Sequence, residues 1–222
     1  MLSRKKGKIK IKNGIHICKK ICYYISVERS ADMTGGFFAL MFRMKYINRW
    51  GLMRSSRTEN LAEHSLEVAL IAHAVASIGN AMFGKEYDCD RIAVKAMYHD
   101  APEILTGDLP TPVKYYNEEI KNAYDTVEKA AYQRFCDLMP QEIKEEYVEL
   151  LSCTKEEKTV IKAADNICAY LKCAEETNSG NTEFSLAMQT TFSKMCAIDL
   201  PEAKYFIENC LSSFNLPLDA IQ

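Results

Sequence analysis

Two capping boxes, Asn60 with Glu63 and Thr154 with Glu157, constrain this chain more than any other feature. In each, a short polar side chain can accept the backbone N–H three residues on, while the later carboxylate reaches back to the first residue's own N–H. The first box opens a helix expected to reach about Ala81, with Leu66, Leu70, Ala74 and Ile78 recurring every four residues on one stripe. The second opens a helix through Glu176 that ends in the turn Asn178-Ser179-Gly180-Asn181. Asp88 can cap a third helix ending near His99. Pro102, Gly107, Pro110 and Pro112 then break up a long connection. Asn117 to Leu138 reads as an amphipathic helix stopped near Pro140, and Asp199 with Pro201 and Glu202 starts a last helix reaching about Phe214. No stretch sustains the alternation of a strand. The expected fold is all-α, an irregular helical bundle.

With 222 residues, 48% of them hydrophobic, the chain can bury one sizeable core and is too short for two large ones. No uninterrupted apolar run approaches the roughly 20 residues that cross a bilayer, so no membrane span is expected. The nine cysteines are odd in number, scattered, and preceded by no secretory signal, which reads as reduced thiols in a cytoplasmic protein. Neither Cys18 with Cys22 nor Cys168 with Cys173 has the short spacing and matching second pair of a zinc site.

The net charge of −2 conceals an asymmetry. Residues 1–32 hold nine Lys or Arg against two acidic residues, and the remainder holds 19 basic and 28 acidic residues. An acidic body excludes the usual nucleic-acid binder, which needs a basic surface. Lys19 and Lys20 split what would be the apolar region of a signal peptide. The segment 1–32 therefore reads as a basic, disordered extension or as a mis-assigned start, with Met33 as the alternative first residue and the folded domain at 33–222.

Within that domain, His64, the adjacent pair His99 and Asp100, and Asp165 lie on stretches that read as helix. Two imidazoles and two carboxylates can hold one divalent cation and leave positions open for water and an oxygen-rich substrate. Glu103 follows Asp100 by three residues and projects near it if the turn persists past Pro102. Ile161, Ala164, Cys168 and Leu171 flank Asp165 and turn its carboxylate inward, where it needs a cation or strong donors. The alternative is a surface pairing of Asp165 with Lys162 or Arg134. His73, nine residues after His64, falls on the opposite face of the same helix and cannot share its metal.

Arg49-Trp50, RTENLAEHS (57–65), MYHDAPEILTGDLPTPVKYYN (97–117) and KAADNICAYLKCAEE (162–176) closely resemble the bacterial 5'-deoxynucleotidases of the YfbR type, within the HD-domain metal-dependent phosphohydrolase superfamily. The resemblance runs from about Gly36 to the C-terminus. It implies a helical HD fold, a homodimer, and hydrolysis of deoxyribonucleoside 5'-monophosphates. It implies His64, His99, Asp100 and Asp165 as ligands of a divalent cation, with Co, Mn, Mg, Zn and Fe all compatible with mixed nitrogen and oxygen donors. It implies Glu103 as the catalytic acidic residue, Arg49 and Trp50 near phosphate and sugar, and Asp108 as a sugar-contacting carboxylate. His64 and Asp165 also border the substrate in this reading.

The chemistry agrees. Arg49 offers a planar fork to phosphate, Glu103 can take a proton from water or give one to the leaving oxygen, and Trp50 can crowd a ribose 2'-hydroxyl. The duller readings are a packing Trp50, a surface Arg49 and a turn-forming Asp108. Two other functions compete: an HD hydrolase of a larger nucleotide phosphate, and a non-catalytic nucleotide-binding module. The first calls for more basic residues than Arg49, Arg54, Arg57 and Lys114, and the second predicts a damaged ligand set.

Overall fold

The computed structural model describes residues 35–114 and 116–221. The expectations for the extension 1–32, for Met33, and for Cys18 with Cys22 lie outside them. The helices in chain order are α1 (Gly36–Met41), α2 (Leu61–Met82), α3 (Cys89–Met97), α4 (Glu103–Thr106), α5 (Thr111–Lys114), α6 (Glu118–Asp137), α7 (Lys144–Leu150), α8 (Lys155–Asn178), α9 (Ser185–Cys196) and α10 (Pro201–Cys210). Among the described residues there is no strand, only one antiparallel bridge between Asn48 and Asn60. The all-α expectation holds.

Both capping boxes form. Asn60 accepts from the N–H of Glu63 at 3.1 Å and Glu63 accepts from that of Asn60 at 3.2 Å. Thr154 and Glu157 exchange the same pair of bonds at 3.2 and 2.7 Å. Asp88 and Asn117 cap α3 and α6 as expected. Asp199 does not cap α10; its side chain pairs with Lys204 while Leu200 takes the cap position, and the helix stops at Cys210 before a 3-10 turn over Leu211–Asn215. Helices α1, α7 and α9 carried no cap signal that singled them out.

The central helix α2 packs against α3, α8 and α10. Val68, Ala72 and Val75 from α2, Ile92 and Ala96 from α3, Val160, Ala164 and Ile167 from α8, and Phe206 from α10 form one core. Each large member contributes about 1.5–3 kcal/mol through burial. The four-residue stripe splits: Leu66 and Leu70 are more than half exposed, while Ala74 and Ile78 pack against the core. Helix α2 is apolar nearly all round, so four-residue spacing alone did not choose the buried face. By length and composition α2 could cross a membrane, yet here it is the inner helix of the fold, with Val68, Ala72, Val75 and Ala76 inaccessible to solvent. At Gly79, a β-carbon would come within 2.8 Å of the Tyr87 ring, so glycine is required for the α2–α3 connection to close. A second core gathers Phe37, Leu61, Ile104, Phe135 and Met139 around α1 and α6. Phe206 and Met139 belong to these two cores, with Ile207 and Leu138 packed against them.

Candidate metal centre

The site forms where three helical segments converge. His64 lies in the first turns of α2, its N–H bonded to Asn60 O at 3.1 Å, and its side chain is wholly buried. His99 and Asp100 do not continue α3, which ends at Met97; they occupy the turn before α4. Pro102 has no N–H to extend the helix and takes the N-cap position of α4. Glu103 nonetheless stays next to Asp100, donating its N–H to Asp100 O at 2.9 Å. Asp165 projects from the middle of α8, which brings it to the others from a distance of 65 residues or more in sequence.

One ligand atom each from His64, His99 and Asp100 lie within 4.8 Å of one another. Asp165 lies outside that compact group and meets it at His64, its Oδ1 3.3 Å from His64 Nε2. His99 Nε2 is 3.1 Å from Asp100 Oδ2, and His64 Nε2 is 3.8 Å from the same oxygen. Despite this proximity, His64 Nε2 and His99 Nε2 are buried without an aligned hydrogen bond, as are His64 Nδ1 and Glu103 Oε2. His99 Nδ1 lies 2.7 Å from Ala96 O, which fixes the proton there and leaves the Nε2 lone pair facing the carboxylates. The alternative partner of Asp165 is also partly right: Lys162 Nζ is 2.7 Å from Oδ2.

The electrostatics suit a cation. Burial would raise the Asp100 carboxyl, but His99 and Arg49 overcome it and hold the group at about 2. Burial likewise opposes ionisation of Asp165, and His64, Lys162 and His99 overcome it, leaving this carboxyl well below the ordinary range. Burial, reinforced by Arg49, pushes His64 down and keeps it a neutral donor. Burial also works against charge on His99, but Asp100 outweighs it and raises this imidazole. Glu103 moves the other way: burial first, then Asp100 and Asp108, push it up to about 9. Two neutral-capable nitrogens and two ionised carboxylates, with buried lone pairs left unpaired, are a donor set that fits a divalent ion.

Arg49 and Trp50 enter from the turn before α2, held there by Arg49 N to Glu59 O at 3.0 Å and Leu61 N to Ile47 O at 2.9 Å. Arg49 Nη1 reaches Asp100 Oδ2 at 3.3 Å, so it is not a surface cation. Trp50 is the one non-glycine residue with positive φ (58°) among the described residues. Its backbone N–H donates to Asp108 Oδ2 at 3.2 Å, and its ring rests against Phe184 with centroids 5.5 Å apart. All eight expected site residues thus fall in one connected neighbourhood, while His73 faces Asp90 on the outer side of α2. Cys168 and Cys173 are buried free thiols. Glu59 went unnoticed in the sequence; it is buried and accepts from both Arg49 and Trp50. No spacing rule marks a carboxylate one residue before a helix cap.

The family described as 5'-deoxynucleotidase YfbR-like matches residues 36–214. A curated protein named 5'-deoxynucleotidase YfbR, from Shigella dysenteriae, is 50% identical over 188 residues, covering 83% of this chain and 94% of that protein. A 5'-deoxynucleotidase from Citrobacter koseri is 49% identical with the same coverage. Among solved structures, an HD-domain phosphohydrolase from Listeria innocua superposes with a TM-score of 0.71 at 22% identity, over 81% of this chain and 88% of that one. The HD phosphohydrolase of cyanophage S-2L, solved with dA and one catalytic Zn2+ ion, superposes with a TM-score of 0.55 at 21% identity, over 79% and 96%. The structural likenesses establish the fold. The extent of the sequence match shows that the chain belongs to the YfbR-like 5'-deoxynucleotidase family.

Proposed function

We propose that this chain is a metal-dependent 5'-deoxynucleotidase that hydrolyses deoxyribonucleoside 5'-monophosphates to deoxyribonucleosides and inorganic phosphate. The observation that carries the reading is the pair of buried imidazole nitrogens that face Asp100 and Asp165 without an aligned hydrogen bond, in a chain half identical to proteins named for that activity. His64, His99, Asp100 and Asp165 would hold the cation. When bound, it lowers the pKa of water and neutralises phosphate oxygens. Water oxygen bonds to phosphorus and releases one proton, the bond from phosphorus to the 5'-oxygen breaks, and the 5'-oxygen leaves with a proton, the one released by water restoring the one donated. Glu103, which holds a proton well above the ordinary carboxylate range, is suited to give it to that oxygen. Arg49 binds the phosphate, Asp108 orients the sugar, and Trp50 closes the space at C2'.

A monophosphate is favoured over longer phosphate chains because the other nearby cations are already paired. Arg54 binds Glu183, Arg57 faces Glu63 and Glu175, and Lys114 binds Glu128. A non-catalytic module would have a damaged ligand set, and this sequence keeps all four proposed ligands and Glu103. The catalytic domain is taken as 33–222, in keeping with the extent of the family match, and the location as the cytoplasm, in keeping with free thiols; a homodimer is proposed. The nucleotide base and the choice among Co, Mn, Mg, Zn and Fe are assigned by assay. Phosphate release from deoxy and ribo 5'-monophosphates is measured with metal-stripped protein resupplied with each ion, and sedimentation velocity gives the oligomeric state. Metal-dependent turnover of deoxynucleotides is expected; a folded protein inert with every ion would overturn the reading.

A further inference from the structure

We infer that Glu59 is a positioning residue that couples phosphate capture to deoxyribose selectivity, because one of its oxygens grips both Arg49 and Trp50. Glu59 Oε2 accepts from Arg49 Nε at 3.0 Å and from the Trp50 indole Nε1 at 2.9 Å. The side chain is only 7% exposed, and its own backbone is tied to Arg49 through Glu59 O. The inference rests on the reading of Arg49 and Trp50 given above.

The guanidinium is held at two points, Nε by Glu59 and Nη1 by Asp100. Its remaining N–H groups have no protein acceptor among the described residues, so the fork is oriented before a phosphate arrives. Asp100 is also a candidate cation ligand, which leaves Glu59 as the carboxylate on Arg49 that belongs to no proposed ligand set. Trp50 poses a second requirement. Its backbone sits in a region that side-chain-bearing residues avoid, and such a conformation persists only where the surroundings over-determine it. Asp108 fixes its N–H, Phe184 backs its ring, and Glu59 sets the ring's rotation through the indole N–H. Glu59 touches neither phosphate nor sugar in this arrangement and acts through its two neighbours.

The two bonds differ in kind, and this separates them experimentally. Glu59→Gln keeps an oxygen for the indole N–H and removes the charge that orients the guanidinium. Glu59→Ala removes both. The experiment measures kcat and KM for dAMP and AMP on metal-loaded full-length enzyme, for wild type, both Glu59 variants and Trp50→Ala, with thermal melts alongside. Glu59→Gln is expected to lose about tenfold in kcat/KM for dAMP, the cost of one charge-assisted hydrogen bond, and to retain the dAMP:AMP ratio. Glu59→Ala is expected to lose about a hundredfold and to bring the ratio down towards that of Trp50→Ala. A merely structural Glu59 would lower both substrates together and leave the ratio at the wild-type value. A collapsed ratio in Trp50→Ala beside a wild-type ratio in Glu59→Ala overturns the role of Glu59 alone. An unchanged ratio in Trp50→Ala overturns the sugar-wall reading and the coupling with it. Wild-type kcat/KM in Glu59→Gln overturns the phosphate arm, whether or not Glu59→Ala folds.

Discussion

Helix α8 carries two groups of buried charge, Asp165 near its middle and Lys172 with Glu176 near its end, and they are built on opposite rules. Glu176 is fully buried and accepts four hydrogen bonds: from Lys172 at 2.6 Å, the N–H groups of Ser56 and Arg57 at 2.8 and 3.2 Å, and Asn181 at 2.8 Å. Lys172 also donates to Arg57 O at 2.7 Å. Around Asp165, by contrast, His64 Nδ1 and Nε2, His99 Nε2 and Glu103 Oε2 are buried without an aligned hydrogen bond. A satisfied buried network specifies a conformation, and this one ties the 54–57 segment to α8 just before Glu59. An unsatisfied one persists where a group other than protein completes it. The first cluster therefore belongs to stability and the second to chemistry.

The sharpest break of that contrast is Asp100→Ala. Removing this proposed ligand is expected to lower kcat/KM by about a thousandfold, equivalent to several kcal/mol of lost charge stabilisation, with the melting temperature lowered as well because His99 and Arg49 lose the carboxylate they hold ionised. Glu103→Gln comes next: kcat is expected to fall by about a hundredfold or more while metal affinity, read by calorimetry, stays near wild type. Failure of that separation would place Glu103 among the ligands.

At the other end of α8, Glu176→Gln should cost on the order of 3 kcal/mol in chemical denaturation, since it leaves Lys172 buried beside a neutral partner, with little change in kcat per folded molecule. Its pH dependence has a definite sign. Burial would raise the Glu176 carboxyl, but Lys172, Asn181 and Ser56 overcome this and hold it far below its ordinary value of 4.5. Its contribution is therefore complete above that ordinary value and is lost as pH falls through the lower folded one. The gap in melting temperature between wild type and Glu176→Gln should close on acidification below about pH 4 and stay constant at neutral pH. The smallest effect is expected from a chain beginning at Met33, with kcat/KM within about twofold of full length, because the family match starts at residue 36. A larger loss would give the basic segment a share in the function.

The starts of α2, α3, α6 and α8 and the candidates for a metal site were legible in the sequence, for different reasons. A helix start satisfies its free N–H groups within four residues, so Asn60, Asp88, Asn117 and Thr154 announce it locally. His64, His99, Asp100 and Asp165 stood out because two imidazoles and two carboxylates on otherwise apolar stretches ask for a cation, and the long family strings around them supplied the rest. The tertiary structure alone decided that Leu66 and Leu70 face outward, that His99 and Asp100 sit in a turn, that Asp199 caps nothing, and that one oxygen of Glu59 serves both Arg49 and Trp50. Each of these depends on which distant surface arrives beside a residue, and in a chain apolar on several helix faces that arrival is set by packing of the whole core rather than by local spacing.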